Sequence, residues 1–589
     1  MPEKELDYIH SRDAADGSST EKNGGVYIDA FDKSDNAVPL TGFAKFVDSF
    51  KRYDSEELGL DPNLTEVERA AIVTANSPLS RSLKNRHLQM IAIGGSIGTG
   101  LFVGSGKTLR AGGPAGVLIA YILIGSMMYC TVQSLGELAI TFPVSGAFVT
   151  YNTRFIDPSW GFAMAWNYAL QWLVILPLEL VAAAMTIEYW TTSINPAAFV
   201  AVFYVFIVAI NFFGVKGYGE AEFAFSAIKV LAVCGFIILG IVLVCGGGPK
   251  GGYIGGRYWS DPGAFANGFK GVCSVFVTAA FAFAGTELVG LAAAESENPR
   301  KSLPTATKQV FWRITLFYVI SLTLVGLLVP YTDERLIGAS SVDATASPFV
   351  LAIQNGGISG LPSVMNAVIM IAVLSVGNSS VFGSSRTLAA LAAAGQAPKI
   401  LGYIDKQGRP LVAIILQCVF GLLGFVTASD KFGEIFDWLL ALSGLSSLFT
   451  WGSINFCLIR FRRALKVKGR DTSELTYTAQ AGVYGAWYGF ILNVLVLIAQ
   501  FWIALFPLGG KPDAYGFFVS YLGLPVILSF YIFHKIWKKN WKLYIRAKDI
   551  DIDTGRRELD LDLVKQEIAE EKAAIAAKPF YKRWYHFWC

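Results

Sequence analysis

Two apolar stretches, Ile93–Phe102 (IGGSIGTGLF) and Ala280–Gly290 (AFAFAGTELVG), lie in different halves of the chain and share the pattern Gly-Thr-x-Leu. Each glycine weakens a continuous helix by about 1 kcal/mol relative to alanine. Unwound backbone at membrane depth is tolerated where it lines a cavity. The matched pair therefore predicts two broken membrane helices that form a transporter binding site. Helix packing through small residues is an alternative explanation of the same glycines.

The composition is that of a membrane protein. Hydrophobic residues make up 53% of the 589 residues and charged residues 16%, against about 25% charged in soluble domains. The basic residues lie between apolar segments and are not clustered with exposed aromatics, which argues against nucleic acid as a partner. Four histidines, no Ser-His-Asp pattern and no metal-ligand spacing of the cysteines argue against an enzyme, a metal site and a cofactor.

Twelve apolar segments are predicted to span the membrane, because each approaches or exceeds the roughly 20 residues that a crossing needs. They lie near 88–104, 115–140, 160–190, 198–213, 223–245, 269–294, 312–329, 361–393, 411–427, 435–459, 485–508 and 517–536. Loops on the side of the two termini carry more Lys and Arg than the opposite loops, so both termini are predicted to be cytoplasmic.

The two glycine-broken segments are the first and the sixth of the twelve. This spacing makes segments 1–5 and 6–10, about 88–245 and 269–459, candidate repeats, and because five is odd the second must be inverted. The expected fold is all-α, with five-plus-five inverted repeats, broken helices 1 and 6, and helices 11 and 12 appended. The expected domains are an N-terminal tail (1–86, mostly disordered), a transporter domain (87–537) and a C-terminal tail (538–589).

Long stretches of the chain resemble the fungal amino acid permeases of the amino acid–polyamine–organocation superfamily. They include Asn85–Gly95 (NRHLQMIAIGG), Phe212–Glu222 (FFGVKGYGEAE), Gly246–Tyr258 and Leu439–Trp451, and the tail sequence Asp551–Arg557 is closest to the general amino acid permease branch. The resemblance covers about Asp61 to Cys589. It implies proton-coupled uptake of amino acids across the fungal plasma membrane by a multi-pass protein surrounded by membrane lipids.

A zwitterionic amino acid needs an anion site and a cation site close together, and the ends of broken helices provide both. We assign the α-carboxylate to backbone N–H groups around the first helix break. We assign the α-ammonium to freed carbonyls near Ile93 and to those of Phe281, Ala282 and Ala284 at the second break. A site that recognises only the constant part of an amino acid permits a broad range of side chains. The residues expected to contact substrate are Ser96, Gly98, Thr99, Gly100, Phe281, Ala282, Ala284, Gly285, Thr286, Glu287 and Ser379.

Three of these side chains have alternative explanations. Phe281 matches the position of an aromatic that closes over the substrate in related transporters, but it is also compatible with a core or lipid-facing phenylalanine. Glu287 could bind substrate, link the site to gating or exchange a proton, and it could also cap the second half-helix. Ser379 belongs to a polar stripe that could line the path or hydrogen-bond to another helix.

Charged side chains inside a membrane are expensive and usually functional. Glu179 and Lys229 are the candidate proton-coupling groups, and the resemblance implies that Lys229 occupies the place where sodium-coupled relatives hold a cation. The alternatives are a carboxyl hydrogen-bonded to a neighbouring helix for Glu179 and an ammonium that reaches the interface for Lys229. Glu137 is a third candidate, more typical of an inner gate or a packing contact.

The tails are expected to be regulatory. The resemblance implies ubiquitin-driven endocytosis, with Lys4, Lys22 and Lys33 as exposed acceptors for the ubiquitination machinery. Cys589 is a candidate palmitoylation site or a free thiol.

The leading functional hypothesis is a proton/amino acid symporter. An amino acid exchanger, a polyamine carrier on the same fold and an amino acid-sensing receptor remain alternatives.

Overall fold

The computed structural model describes residues 47–53, 79, 82–95, 97–144, 146–296, 299–337, 347–428, 432–556, 570 and 577–579. Within these residues the regular structure is helical, with two isolated β-bridges and no β-strand. The α-helices are α1 Asn85–Gly94, α2 Thr99–Phe102, α3 Gly104–Thr141, α4 Ala147–Phe155, α5 Pro158–Ile187, α6 Pro196–Phe212, α7 Gly214–Val244, α8 Gly268–Phe283, α9 Leu288–Ala292, α10 Pro299–Arg313, α11 Ser321–Leu328, α12 Glu334–Ile337, α13 Pro348–Asn355, α14 Leu361–Ala393, α15 Leu411–Gly421, α16 Phe432–Val467, α17 Gly482–Leu505, α18 Ala514–Tyr521 and α19 Gly523–Lys538.

Eight helical stretches in the described part of the chain are long and apolar enough to cross a membrane, or nine if α18 and α19, which meet at 65°, form one span. The twelve predicted segments differ from this in two ways. The fourth and ninth form shorter apolar helices of 10–17 residues. The first is divided between α1, α2 and the start of α3.

The helix α3 is kinked between its first ten residues and the rest, and the kink has a local cause. Gly113 has φ 70°, a conformation that favours glycine, and Pro114 follows it. The helix is therefore kinked there, and the part that starts at Ala115 coincides with the second predicted segment. The residues before the kink continue from α2.

The most buried apolar stretches of the bundle are those of α8, α5, α16 and α14. In the most apolar part of the stretch that holds α8, 94% of the residues are buried, whereas the corresponding value for α7 and for α17 is 28%. The helix α5 packs along α14, α16 and α19, and α8 packs along α3 and α16. The start of α5 is well defined, because the side chain of Asp157 accepts hydrogen bonds from the amides of Ser159 and Trp160, with Pro158 as first helical residue.

Part of the predicted C-terminal tail packs on the helical domain. The side chains of Ile550 and Ile552 are fully buried. Arg154 in α4 is also buried, and its guanidinium donates to the carbonyl oxygen of Thr554 at 2.7 Å. The chain thus stays attached to the bundle for more than ten residues beyond α19.

Candidate functional site

The helix is interrupted between α1 and α2 and again between α8 and α9. The two interruptions are in contact, since a Cβ atom on Gly285 would lie 3.1 Å from the carbonyl oxygen of Gly95. A Cβ atom on Gly100 would lie 2.8 Å from the backbone nitrogen of Ala282. Backbone meets backbone at this point because neither glycine has a side chain.

A narrow cavity lies beside this contact, with room for about one water molecule in this conformation. Three helix-start residues, one carboxylate and several apolar side chains form its wall. The lining residues are Gly98, Thr99, Gly100, Trp172, Ile175, Glu179, Phe281, Ala284 and Val376. Six of these nine were predicted from the sequence as substrate-contacting or proton-coupling residues.

The start of α2 places backbone donors at the cavity wall. The amides in the first turn of a helix have no acceptor within that helix, and α2 begins at Thr99. The amides of Leu101 and Phe102 already donate to the carbonyl oxygen of Gly98 at 3.1 and 3.0 Å. A Cβ atom on Gly98 would collide with Cγ2 of Val376, so this close approach requires glycine.

The carbonyls of the second interruption are less available than the sequence suggested. The oxygen of Ala282 accepts a hydrogen bond from the Tyr318 hydroxyl at 2.7 Å, and that of Phe281 accepts from the amide of Ala284 at 3.1 Å. Unwinding frees a carbonyl from its own helix, but neighbouring donors then occupy it. Ala284 borders the cavity. Of the carbonyls at the second interruption to which the α-ammonium was assigned, those of Phe281 and Ala282 thus already accept one hydrogen bond each.

Glu179 is a cavity residue whose carboxylate is half satisfied. It is fully buried, and Oε2 accepts a hydrogen bond from the hydroxyl of Thr99 at the start of α2. In the part of the chain that the structure describes, Oε1 has no hydrogen-bond partner. The indole Nε1 of Trp172, another lining residue, is likewise buried with no partner among those residues. An acceptor and a donor are thus left for a polar ligand.

Lys229 is buried at the end of α1 and does not extend to an interface. Its ammonium donates to the carbonyl oxygen of Gly94 at 2.6 Å and to the hydroxyl of Ser375 in α14 at 2.7 Å. It also forms an ion pair with Glu222 Oε1 at 3.4 Å. Glu179 and Lys229 therefore hold the two sides of the first interruption, one at the start of α2 and the other at the end of α1.

Glu287 lies behind the cavity. Its carboxylate accepts from the Gly285 amide at 3.3 Å, from the Trp451 indole at 3.2 Å and from the Tyr168 hydroxyl at 3.4 Å. The ring of Tyr168 packs edge-on against Trp172, which lines the cavity. The neighbouring Thr286 accepts a hydrogen bond from Arg313. These residues brace the second interruption rather than border the cavity.

Two other predicted residues also lie away from the cavity. Ser379 donates to Glu222 Oε2 at 3.4 Å, which makes it part of a contact between α7 and α14. Glu137 forms an ion pair with Arg462 at 2.6 Å and accepts from the Ala479 amide at 2.7 Å. Both positions fit the packing alternative for these side chains. Five further predicted residues fall outside the described residues: Ser96, Lys4, Lys22, Lys33 and Cys589.

Four residues of the site and its surroundings were not expected from the sequence. Trp172 and Ile175 lie seven and four positions before Glu179 on α5, a spacing that places all three on one helix face. Val376 on α14 is adjacent to Ser375, and its signal is weak in an apolar helix. Glu222 lies seven positions before Lys229 on α7, so the same spacing rule could have found it.

Comparison with known proteins now identifies the family. The family model for amino acid permeases matches residues 87–547. The chain belongs to the amino acid permease family. It is 76% identical to the general amino-acid permease GAP2 of Candida albicans over 590 residues, which cover 100% of both chains. It is 62% identical to the general amino-acid permease GAP1 of Saccharomyces cerevisiae over 550 residues, which cover 92% of this chain and 91% of that one.

A third relative has a different named substrate. The S-adenosylmethionine permease GAP4 of Candida albicans is 52% identical over 547 residues, which cover 92% of this chain and 90% of the relative. Relatives of this kind are transporters and not enzymes. This amino acid permease is accordingly a multi-pass membrane transporter, as its composition predicts.

Proposed function

We propose that this permease imports amino acids with a broad range of side chains and that a symported proton drives the import. The observation that carries the proposal is the cavity at the contact of the two helix interruptions, where backbone donors adjoin the half-satisfied carboxylate of Glu179. Family membership supports the substrate class. The buried groups Glu179 and Lys229 support the coupling.

Recognition would use the parts that all amino acids share. The amides of Gly98, Thr99 and Gly100 suit the α-carboxylate, as helix-start amides suit anions, and we expect Ser96 to contribute. The ammonium group would lie near the carbonyl of Ala284 and Oε1 of Glu179. The remaining wall is mostly apolar and would accept apolar side chains of different shapes, and the unpartnered Trp172 indole N–H offers a donor to polar ones. Phe281 would close over the bound substrate.

Coupling would operate at the first interruption. Glu179 binds the start of α2 through Thr99, and Lys229 binds the end of α1 through Gly94. A change in the charge of either group would alter how strongly that half-helix is held, which links proton binding to movement of α1 and α2. Glu137 and its partner Arg462 would serve in an inner gate.

The architecture that fits this mechanism has twelve spans, five-plus-five inverted repeats over about 88–245 and 269–459, and broken helices 1 and 6. Both tails, 1–86 and 538–589, would be cytoplasmic in a protein of the plasma membrane. Regulation would use ubiquitination at Lys4, Lys22 or Lys33, with Cys589 as a candidate site for a lipid anchor. These assignments rest on the sequence pattern and the family.

The test is uptake of labelled L-leucine by cells that express the full chain. Uptake should rise as the external pH is lowered, collapse with a protonophore and survive replacement of sodium by choline. Persistence with the protonophore together with loss on sodium removal would exclude proton symport. Competition by the twenty amino acids, a polyamine and S-adenosylmethionine would then define the range, because the relative GAP4 is named for a different substrate.

Lys229→Ala separates coupling from recognition. The variant should lose concentrative uptake and retain exchange of internal for external L-leucine, because the substrate contacts lie on other residues. Accumulation and equilibrium binding are measured on one membrane preparation. Wild-type accumulation by the variant would remove Lys229 from the coupling mechanism.

A further inference from the structure

The interface between α7 and α14 contains a continuous row of hydrogen-bonding side chains that starts at Lys229. The Lys229 ammonium donates to Ser375 Oγ at 2.7 Å, and this hydroxyl lies 2.8 and 2.7 Å from the two oxygens of Glu222. Ser379 Oγ lies 3.4 Å from Glu222 Oε2 and 3.2 Å from the hydroxyl of Tyr218. All five side chains are buried.

The spacing of the row follows from helix geometry. Tyr218, Glu222 and Lys229 lie four and seven residues apart on one face of α7, and Ser375 and Ser379 lie four apart on the facing side of α14. Every member can donate or accept a proton. A buried row of this kind in a membrane protein is the usual form of a proton relay.

We infer that this row is the path by which the proton leaves Lys229 toward the cytoplasm, with Glu222 as the intermediate acceptor. The inference rests on the proposed proton symport. Lys229 Nζ gives a proton to Ser375 Oγ, which passes its own proton to Glu222. The ion pair becomes a neutral amine and a neutral carboxylic acid, so the total charge is unchanged. The proton then moves through Ser379 to Tyr218, which gives its own proton to water.

The far end of the row is covered. The ring of Tyr218 stacks on the ring of Phe382, with 4.4 Å between their centroids. On Phe382 the guanidinium of Arg386 lies 4.3 Å from the ring centroid, and it forms an ion pair with Glu295 at 2.9 Å. Water would reach Tyr218 when this cover separates. The path would then be open on the inner side only in a conformation in which the substrate can leave as well.

The charged and titratable groups around Glu222 are known. On α7 they are Lys229 and Tyr218, with the Ser226 hydroxyl donating to Oε1 at 3.3 Å, while α14 presents the hydroxyls of Ser375 and Ser379. At longer range Glu179 and Arg313 act on Lys229, and Arg386 and Glu295 act on Tyr218. Among these, Lys229 is the cation that Glu222 contacts directly. Loss of the carboxylate should therefore affect Lys229 first.

The experiment uses the full chain in proteoliposomes that contain a pH-sensitive dye. Proton entry per labelled L-leucine, net uptake, L-leucine exchange and equilibrium binding are measured for Glu222→Gln, Ser379→Ala and Tyr218→Phe. The matched control is Ser384→Ala, because Ser384 donates to carbonyls of its own helix. We expect Glu222→Gln to slow proton-coupled net uptake by about tenfold or more, because the carboxamide keeps a hydrogen-bond acceptor but cannot take up the proton. Exchange and binding should persist, and Glu222→Asp should restore part of the rate.

Tyr218→Phe tests the proton path if Glu222→Gln fails to fold or loses binding. Phenylalanine keeps the stacking on Phe382 and removes only the hydroxyl. Slower proton entry with normal exchange would support the path. Unchanged proton entry in Tyr218→Phe and Ser379→Ala would overturn it. Uptake by the wild-type protein without any proton entry would instead refute the proposed symport, and the path with it.

Discussion

The two helix interruptions share a sequence pattern and differ in what surrounds them. Both border the cavity, the first through Gly98 and Thr99 and the second through Ala284. The first, between α1 and α2, is held on each side by an ionisable group, Lys229 at the end of α1 and Glu179 at the start of α2. The second, between α8 and α9, is braced by the neutral Tyr318 at a carbonyl and by a single ionisable group, Glu287, at the Gly285 amide. The difference suggests that the first interruption moves with the charge of its neighbours and that the second provides a firm surface for it.

The largest expected effect comes from adding a side chain at a glycine of either interruption, where it would fill the space between the backbone and the cavity. Gly98→Val should reduce uptake by about a hundredfold, because overpacking of about 1–3 kcal/mol falls directly on the site. Gly285→Val should be as severe, since its φ of 95° strains any side chain. Gly235→Val is the control, because a Cβ atom there meets nothing within 4 Å. Labelled uptake is normalised to surface abundance, and normal uptake by Gly98→Val would contradict the site.

The next effect tests whether Glu179 makes the first interruption sensitive to protons. A one-unit pH gradient coupled one-to-one sustains about tenfold accumulation, since one pH unit corresponds to about 1.4 kcal/mol. Glu179→Gln cannot carry the proton and should therefore reduce the accumulation ratio to about one, while exchange continues. The carboxamide still accepts a hydrogen bond from Thr99. Glu188→Gln, at the end of the same helix, should accumulate normally.

A smaller effect on transport is expected at the second interruption. Glu287→Gln replaces an acceptor of three neutral donors with a group that is itself partly a donor, which should cost about 1–3 kcal/mol of stability. Thermal unfolding of the purified protein should shift accordingly, and proton entry per amino acid should stay unchanged. If coupling is lost while stability is kept, the second interruption also responds to protons, and the contrast with the first disappears.

The smallest effect concerns Glu137, which belongs to neither interruption. Glu137→Gln breaks the ion pair with Arg462. The equilibrium dissociation constant of L-leucine should change by no more than about twofold, because this pair and the cavity share no contact. Arg462→Ala and the double variant complete a double-mutant cycle in which the rate of uptake is measured. If the effects of the two substitutions on this rate are simply additive, Glu137 and Arg462 do not act together as a gate.

Much of the site could be predicted because two glycine-containing stretches share the pattern Gly-Thr-x-Leu at corresponding positions of the two halves of the chain. The glycines of both segments, Glu179 and Lys229 stand out by residue type alone. Trp172 and Val376 could not be recognised, since an aromatic or branched side chain in an apolar helix looks the same whether it faces lipid, core or cavity. Helix rotation, which depends on packing against neighbours, decides among these.

The sequence by itself determined that the protein is a helical membrane protein, because this follows from hydropathy and from the length of its apolar segments. Tertiary structure alone decided which freed carbonyls are occupied, since Tyr318 reaches Ala282 from another helix. It also decided that Ser379 faces Glu222 rather than the cavity. Hydrogen bonds between distant segments depend on helix position and rotation, and no local pattern in the chain encodes them.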